Sequence, residues 1–383
     1  MGDRETLLVN FMECNPVGHA VEALRYALGY HRADPSLRIT VLLAHNTPTE
    51  LAGMCPFVEA ACPVALPAAL AEPPELVRAV AGVPRRWDWI VDNPRRHSAE
   101  HMALFPNFER FYAVTDRHLH ARRGHSTIGV PPPAYAAHQQ LRLQLPPGRR
   151  AAARRLLGDA GTAIAVMPAG NSQPRWEYPS TASWELLLDA LARQHPDARL
   201  CLVGKLRADE RTRSSFGAAE LARLLAAFPR AVDCFDLPLA DQLAVVEACD
   251  LFVAPHTGFG MAALAVGTPW LALSGGRWHE FFCNQVPFYS VVPDPDAFGS
   301  FTGFDPPAVL AADADGEGPR IACMSRARIL ADLDELLAAA GRLVRGELGY
   351  DDAMARHFPA LLRAYRGDRS KLWSLDDAHL AYV

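Results

Sequence analysis

The stretch from residue 250 to 276, DLFVAPHTGFGMAALAVGTPWLALSGG, restricts the possible folds more than any other part of the chain. It contains an apolar run at 251–254, a turn of small and polar residues at 255–260 and an alanine-rich helical run at 261–266. A second apolar run follows at 270–273. Strand, turn, helix and strand in this order form a βαβ unit, the building block of parallel sheets. We therefore expect an α/β protein with doubly wound parallel sheets.

Glycine is frequent in the two turns of this unit. Gly258 and Gly260 lie in the first turn, and Gly275 and Gly276 follow the second strand. Because glycine lacks a Cβ, it lets backbone N–H groups approach a ligand closely. The helix that begins near Gly260 directs its first N–H groups and the positive end of its dipole toward the same crevice. The pattern predicts a site for an anion such as a diphosphate at the carboxyl ends of the strands.

The same alternation of strands and helices occurs in both halves of the chain. In the first half, apolar runs predict strands at 6–12, 38–43, 87–91 and around 111–114. A helix ending at Pro35 separates the first two strands, and the segment 56–84 is expected to hold a helix and loops. In the second half, about four strands alternate with helices. One of those helices is predicted to begin with Ser183 as its N-cap.

The proline-rich stretch 131–148 has no apolar period and is interpreted as a linker between two domains. Residues 1–148, with this linker, are predicted to form an N-terminal Rossmann-like domain. Residues 149–349 are predicted to form a second Rossmann-like domain. Helices in the segment 350–383 are candidates for packing back on the N-terminal domain.

Composition argues against several kinds of partner and environment. The 383 residues carry a formal net charge of −5 at pH 7, so the chain lacks the basic footprint of a nucleic-acid-binding protein. Neither a membrane-spanning apolar stretch nor a signal-peptide pattern is recognisable, which predicts a cytoplasmic protein with at most peripheral membrane contact. The eight cysteines are scattered without a CxxC pair. They are interpreted as buried thiols of a reducing compartment rather than as disulfides or zinc ligands.

Two segments resemble the bacterial ADP-heptose:lipopolysaccharide heptosyltransferases, glycosyltransferase family 9. The segment MPAGNSQPRWEYPSTASWELLLDAL matches a family strand, turn and helix at Pro168, Ala169, Gly170, Asn171, Arg175, Trp176 and Trp184. The segment ACDLFVAPHTGFGMAALAVGTPWLALSGG matches a later family signature at Thr257, Gly258, Ala262, Ala263, Gly267, Thr268, Pro269, Gly275 and Gly276. The resemblance covers most of residues 155–280 and extends only loosely to the N-terminal domain.

This resemblance implies the GT-B architecture, in which two Rossmann-like doubly wound domains face a central cleft. It implies that the C-terminal domain holds a nucleotide-diphosphate sugar and that the N-terminal domain binds an acceptor. The implied reaction is an inverting, metal-independent transfer of the sugar to an acceptor hydroxyl. The expected partners are therefore a nucleotide-sugar donor and a small-molecule or glycan acceptor, with no cofactor.

Three positions depart from the family pattern. His256 stands where the family usually has aspartate, and Met261 stands where it usually has histidine. The pair Gly18-His19 replaces a Gly-Asp pair whose carboxylate is the family's expected base. The donor therefore need not be ADP-heptose, and these departures favour natural-product biosynthesis over surface-glycan biosynthesis.

The catalytic base is expected in the turn between the first strand and the first helix. His19 is the first candidate, because it begins a helix after a strand-turn glycine and imidazole commonly accepts protons near neutral pH. Glu13, in the same turn, is the second candidate. Asn15 and Gly18 are candidates for contacting the acceptor. The simpler interpretation is that His19 caps the helix or faces solvent, that Glu13 is a surface carboxylate and that Asn15 forms a turn before proline.

The donor is expected to contact residues in the turns of the second domain. The candidates are Gly170, Asn171, Arg175, Lys205, Glu210, His256, Thr257, Gly258, Gly260 and Met261. The guanidinium of Arg175 suits phosphate oxygens, and Glu210 could accept hydrogen bonds from a ribose. Lys205 is one of only two lysines in the chain. The simpler interpretation of these charged residues is a solvated surface.

Other chemistries have weaker support in the sequence. Asp313 and Asp315 form an Asp-X-Asp pair, but they lie in a loop of insertion character and are interpreted as solvated rather than metal-binding. A hydrolysing nucleotide-sugar 2-epimerase and a catalytically silent GT-B module that binds a nucleotide sugar remain alternatives. A NAD-dependent dehydrogenase is disfavoured, because neither half has a GxGxxG motif followed by an acidic ribose ligand.

Overall fold

A computed structural model describes residues 4–12, 17–65, 73–92, 133–136, 138–159, 161–170, 175–209, 214–273, 282, 284–292, 310–313 and 316–369. The chain divides between Gln144 and Leu145 into two compact units. Each unit contains its own parallel sheet. Among the described residues, no helix is both long and apolar enough to cross a membrane.

The first unit is built on four described parallel strands in the order β3-β2-β1-β4. The strands are β1 (Thr6–Phe11), β2 (Arg38–Ala44), β3 (Ala60–Val64) and β4 (Trp89–Asp92). Within the described residues of this unit, the helices α1 (Val17–Ala33) and α2 (Pro73–Ala79) and a 3₁₀ turn (Thr49–Met54) accompany them. The central strand β1 is buried from Leu7 to Phe11 and apolar except at Asn10, as expected for a strand covered on both faces. The strands predicted at 6–12, 38–43 and 87–91 are confirmed.

Strand β3 lies within the segment 56–84 that was expected to hold only a helix and loops. Its sequence, Ala-Ala-Cys-Pro-Val, has little strand character, and Pro63 cannot donate a ladder hydrogen bond. The strand is nevertheless tolerated because it lies at an edge of the four described strands and pairs only with β2 among them. The strand predicted around 111–114 lies outside the described residues.

In the second unit, the described residues form six parallel strands in the order β10-β9-β8-β5-β6-β7. The strands are β5 (Thr162–Val166), β6 (Ala198–Gly204), β7 (Val232–Phe235), β8 (Leu251–Pro255), β9 (Trp270–Leu273) and β10 (Phe288–Ser290). The helices are α3 (Pro147–Leu157), α4 (Thr181–Gln194), α5 (Ala218–Ala227), α6 (Leu239–Glu247), α7 (Gly258–Val266), α8 (Arg326–Ala331), α9 (Leu333–Val344) and α10 (Tyr350–Ala364). A short antiparallel pair, β11 (Leu310–Ala311) and β12 (Arg320–Ile321), precedes α8. The βαβ unit predicted at 250–276 is confirmed as β8, α7 and β9.

Two helix starts differ from the sequence-based prediction. Helix α4 begins earlier than expected, because Ser180 rather than Ser183 is its N-cap, with Oγ accepting the N–H of Ser183 at 3.2 Å. Helix α7 begins at Gly258 rather than at 261, with Thr257 as its N-cap. In both cases the residue directly before the helix is a serine or threonine whose hydroxyl caps it. An apolar pattern in the sequence marks only the interior of a helix, so the prediction placed both starts too late.

Helix α7 lies inside the second unit, and every residue from Phe259 to Val266 is buried. A helix that is apolar on all sides is typical of a core position. Gly260 packs against an indole, because a Cβ at this residue would lie 2.2 Å from the Trp270 ring. Gly267, with φ of 90°, ends the helix in the left-handed conformation.

Helix α10 begins the segment that was considered for packing back on the N-terminal domain. It belongs to the second unit, where it contacts β10 of the second sheet. The ring of His357 makes edge-to-face contacts with Phe282, Phe288 and Phe358. Residues from 370 onward lie outside the described part of the chain.

Both sheets reverse their winding direction beside the first strand of the unit. Strands β2 and β3 extend from one side of β1, whereas β4 pairs with its other side. In the second sheet, β6 and β7 extend from one side of β5, whereas β8 pairs with its other side. Ligands of open α/β sheets bind beyond the carboxyl ends of strands at such a reversal. The candidate crevices therefore follow β1 and β4 in one unit and β5 and β8 in the other.

Candidate functional site

The turn between β8 and α7 is fixed by the side chain of Thr257. Its Oγ1 accepts the N–H of Gly260 at 3.2 Å and lies 3.7 Å from Sδ of Met167, which follows β5. Thr257 is buried and extended, as an N-cap residue should be. The preceding residue, His256, is partly exposed, although both of its ring nitrogens are buried, and its ring centroid lies 6.2 Å from that of Trp270. The N-terminal end of α7 is thus held at the carboxyl end of the sheet.

Gly170 brings the loop after β5 against this turn. A Cβ at residue 170 would lie 2.8 Å from Cγ2 of Thr257 and 3.1 Å from the hydroxyl oxygen of Tyr178. The carbonyl oxygen of Gly170 accepts the N–H of Ser215, in the loop after β6, at 3.2 Å. Three loops at the carboxyl ends of β5, β6 and β8 therefore meet at one glycine. The structure brings the predicted site residues Gly170 and Thr257 together at the reversal of the second sheet.

The other predicted residues of the α7 turn differ in their accessibility. Gly258 is partly exposed at the first position of the helix. Gly260 is buried, and its lack of a side chain is required by the Trp270 indole. Met261 is buried on the helix interior, with only 4 % of its surface exposed. A core role therefore accounts for Gly260 and Met261, which leaves His256, Thr257 and Gly258 as the residues of this turn best able to meet a ligand.

Arg175 lies in a 3₁₀ turn (Arg175–Glu177) before α4 and is bound by two carboxylates. Its guanidinium forms ion pairs with Glu220 and, at 3.0 Å, with Glu317. Glu317 also accepts the N–H of Thr181 at the start of α4, at 3.0 Å, and a guanidinium N–H of Arg223 at 3.3 Å. Negative charge at a helix N-terminus and beside arginine is favourable. The structure therefore places Arg175 in an ion-pair cluster, in which a phosphate would have to compete with carboxylates.

Sequence reasoning did not identify Glu220 and Glu317 as partners of Arg175. Glu317 lies between β11 and β12, far from Arg175 along the chain, so no local spacing connects the two residues. Glu220 belongs to the first turn of α5, where it also accepts the N–H of Gly217 at 2.6 Å. That helix-start pattern predicts a capping role and reveals nothing about Arg175.

Lys205 directly follows β6 in a loop with a fixed backbone. Gln242 accepts the N–H of Gly204 and donates to its carbonyl oxygen, both at 3.0 Å. Asp236 accepts the N–H groups of Leu206 and Arg207 at 2.9 and 3.0 Å. The ammonium of Lys205 lies 3.0 Å from Asp209. These contacts hold the residue beside the carboxyl end of β6, although sequence reasoning missed both Gln242 and Asp236.

In the first unit, the predicted base His19 lies in the first turn of α1, at the reversal of the sheet. Its Nδ1 lies 3.2 Å from Oε2 of Glu22, one helical turn further along. The Glu22 side chain is 10 % exposed and that of His19 is 21 % exposed. Gly18 is buried inside the same turn of the helix. At the end of β1, Oδ1 of Asn10 accepts the N–H of Met12 at 3.2 Å.

Four predicted site residues lie outside the described part of the chain: Glu13, Asn15, Asn171 and Glu210. Asp315 and the glycines Gly275 and Gly276 also lie outside it. Asp313 accepts the N–H of Arg326 at the start of α8, at 3.0 Å. Within the described ranges, no group of three or more histidine, cysteine, aspartate or glutamate side chains is arranged to hold a metal ion.

No protein-family model and no curated protein matches the sequence. Solved structures do match. The glycosyl transferase family 9 structure from Veillonella parvula DSM 2008 has a TM-score of 0.56 and 13% identity, over 88% of this chain and 98% of that chain. E. coli ADP-heptose LPS heptosyltransferase II has a TM-score of 0.53 and 15% identity, over 88% and 99% of the two chains. E. coli heptosyltransferase WaaC with ADP has a TM-score of 0.52 and 14% identity, over 86% and 99%.

At this level of identity the shared property is the fold. The two parallel α/β units are those of the GT-B fold, and the likeness extends over nearly the whole length of each of these structures. The predicted fold class is therefore confirmed, and the resemblance to glycosyltransferase family 9 is confirmed as a likeness of fold.

Proposed function

We propose that this protein is an inverting glycosyltransferase that moves a sugar from a nucleotide-diphosphate sugar to an acceptor hydroxyl. The observation that carries the proposal is the contact between Gly170 and Thr257, which joins the loops after β5 and β8 at the reversal of the second sheet. This is the place where an open α/β sheet binds ligands, and the N-terminal end of α7 begins there. One protein of similar fold has been solved with ADP. The donor is accordingly assigned to the second unit.

The leaving diphosphate needs positive charge and hydrogen-bond donors as the bond to the sugar breaks. The amide groups at the start of α7, the Lys205 ammonium beside the end of β6 and the Arg175 guanidinium are the candidates for this task. Lys205 and Arg175 already contact carboxylates, so the diphosphate would share or displace those contacts. With three sources of positive charge, the proposed reaction needs no metal ion.

The acceptor is assigned to the first unit, where His19 lies at the reversal of the sheet. In the proposed step, the acceptor hydroxyl gives its proton to His19 while its oxygen attacks the anomeric carbon. The bond between that carbon and the diphosphate oxygen breaks, and the nucleoside diphosphate leaves with the electron pair. Attack from the side opposite the leaving group inverts the anomeric configuration. Glu13, which precedes α1, remains the alternative base.

The proposal extends to the setting of the reaction. We place the reaction in the cytoplasm. The buried cysteines Cys201, Cys234 and Cys249 support this location, because free thiols are typical of a reducing compartment. The acceptor is a small molecule or glycan, with natural-product and surface-glycan biosynthesis as the two settings. No cofactor other than the donor is required by the proposed reaction.

A thermal-shift panel of ADP, GDP, UDP, dTDP and CDP, with and without EDTA, tests the donor site. A ligand that binds the folded state raises the melting temperature by mass action, so one nucleotide should stand out and EDTA should leave its shift unchanged. Arg175→Ala should reduce that shift. Arg149→Ala is the matched control, because Arg149 also pairs with a carboxylate and its side chain is 40% exposed, against 42% for Arg175.

The outcomes separate the proposal from its alternatives. No shift with any nucleotide would overturn the glycosyltransferase assignment. A selective shift without turnover of the matching sugar nucleotide by any acceptor would indicate a silent binding module. Release of nucleoside diphosphate without an acceptor would indicate a hydrolysing 2-epimerase, whereas release that depends on the acceptor supports transfer.

A further inference from the structure

The candidate base His19 forms a side-chain pair with Glu22. The two residues are three positions apart on α1, a spacing that places side chains on the same face of a helix. Nδ1 of His19 lies 3.2 Å from Oε2 of Glu22. The pair lies on the first two turns of the helix that follows β1, beside the reversal of the first sheet.

Burial distinguishes this pair from ordinary surface ion pairs of the same unit. Glu22 as a whole residue is 7% exposed, whereas the side chains of the surface pair Arg38 and Glu59 are 52% and 47% exposed. A carboxylate costs free energy to bury and therefore needs hydrogen-bond donors. The imidazole of His19 is one such donor, and its own side chain stays accessible enough to meet a second molecule.

The chemistry of the pair determines which imidazole nitrogen carries the proton. A carboxylate accepts hydrogen bonds, so the ring must present an N–H at Nδ1. A neutral imidazole has one such hydrogen, and the hydrogen bond at one nitrogen sets the state of the other. An ionised Glu22 at this position therefore favours the Nδ1–H tautomer of His19, in which Nε2 has the lone pair that a general base requires.

We propose that Glu22 is a positioning residue that orients His19 and fixes it as the Nδ1–H tautomer, with Nε2 as the proton acceptor. This inference rests on the proposed function in its choice of His19 as the base. In the step, the acceptor hydroxyl transfers its proton to Nε2, and the positive charge that develops on the ring is balanced by the Glu22 carboxylate. In other acid–base sites, too, a buried carboxylate orients an imidazole and stabilises its charged form while the imidazole accepts the proton.

Nitrogen NMR of the full-length protein, labelled with ¹⁵N in its histidines, tests the tautomer without any ligand. The His19 signals are identified as those lost in a His19→Gln variant. In the wild-type protein we expect a protonated Nδ1 and an unprotonated Nε2. A protonated Nε2 in the neutral ring of the wild-type protein would overturn the proposal by itself, whatever the variants show.

Two variants separate positioning from mere packing. Glu22→Leu removes the acceptor and replaces it with an apolar side chain of similar size, and its folding is checked by its melting temperature. We expect this variant to lose the Nδ1–H preference, whereas Glu22→Gln keeps it through the amide oxygen. Glu59→Leu, which removes an exposed carboxylate of the same unit, should leave the His19 signals unchanged. Unchanged His19 signals in Glu22→Leu would contradict the proposal.

Kinetics with the donor found in the nucleotide panel provide a second measurement. Glu22→Leu should lower kcat by roughly 10²-fold, the lower part of the usual contribution of general base catalysis, and leave the KM for the donor unchanged. If Glu22→Leu lowered the melting temperature but left kcat unchanged, Glu22 would have no positioning role. If no donor is turned over by the wild-type protein, glycosyl transfer fails as the function, while the NMR result still decides whether Glu22 sets the His19 tautomer.

Discussion

The γ-methyl group of Thr257 lies 2.8 Å from the point that a Cβ on Gly170 would occupy. These residues follow different strands, β5 and β8, which are neighbours only because the sheet reverses its winding between them. A glycine at 170 is therefore required by the approach of the two loops. This contact lies at the candidate donor site and gives the first prediction.

Gly170→Ala should destabilise the protein by roughly 1–3 kcal/mol, because a methyl group forced into a packed contact displaces its neighbours. Nucleotide-induced thermal shifts should fall at the same time. Denaturant unfolding measures the first effect. Gly148→Ala is the control. Gly148 also belongs to the second unit, in the first turn of α3, but no heavy atom lies within 4 Å of the position that its Cβ would occupy. A Gly170→Ala, Thr257→Ser double variant should recover most of the loss, since serine lacks the opposing methyl group.

Thr257→Val should cost about 1 kcal/mol, the usual cost of losing an N-cap. Valine keeps the shape of threonine but cannot accept the N–H of Gly260. Thr257→Ser retains the hydroxyl and should stay close to the wild-type stability. Both variants are compared by urea unfolding. Equal stability of the valine and serine variants would show that the cap contributes nothing measurable to α7.

Glu317→Gln should have opposite effects on stability and on nucleotide binding. Loss of the carboxylate weakens contacts to Arg175, Arg223 and the N-terminus of α4, so the melting temperature without ligand should fall. Since a phosphate then competes with one carboxylate fewer for Arg175, the nucleotide-induced shift should increase. Glu185→Gln is the control, because Glu185 pairs with Arg223 and not with Arg175. A smaller shift in Glu317→Gln would indicate that Glu317 holds Arg175 in its binding position.

His357 should make the stability of the second unit depend on pH. The pKa of His357 is lowered from 6.5 to about 4, chiefly because the ring is buried and also because Arg356 is nearby, while the hydrogen bond with the backbone of Ser290 opposes the change. The unfolded state therefore binds more protons than the folded state between these pH values. This contribution to stability is fully present above pH 6.5 and is lost as the pH falls toward 4.

A pKa difference of that size corresponds to about 3 kcal/mol. Urea unfolding of the wild type and of His357→Leu at a series of pH values between neutral and 4 measures it. The variant should show a flatter dependence on pH in this window, whereas His45→Leu, at an exposed position, should retain the wild-type slope. If the free energy of unfolding depended on pH equally in the wild type and in His357→Leu, His357 would not be the source of the pH dependence.

The alternation of strands and helices could be predicted from the sequence because parallel strands that are buried on both faces are continuous apolar runs. The run from Leu251 to Ala254 and the turn at Thr257 show this for the second unit. The same reasoning failed for β3, since Pro63 is acceptable only at an edge and no pattern within the strand indicates where the sheet ends. Order within a sheet is a property of tertiary structure.

Prediction of the candidate site was limited in the same way. Gly170 could be identified from the resemblance of its segment to glycosyltransferase family 9, and Thr257 from its place in the turn before the alanine-rich helix. Glu317 could not, because only the folded chain brings it to Arg175. Glu22 lies in an apolar helix segment only three residues from His19, and this combination of spacing and a buried carboxylate could have identified it.

The burial of α7 from Phe259 to Val266 has a consequence for the dynamics of the candidate donor site. A helix enclosed by the core cannot open while the surrounding sheet stays folded, so its amide hydrogens should exchange with solvent only through global unfolding. The N-terminal amides that would meet a diphosphate lie at the partly exposed start of this helix, at Gly258, and the buried turns that follow hold them in place. Their orientation is therefore established when the unit folds, and a ligand that binds there loses little additional conformational entropy of the protein.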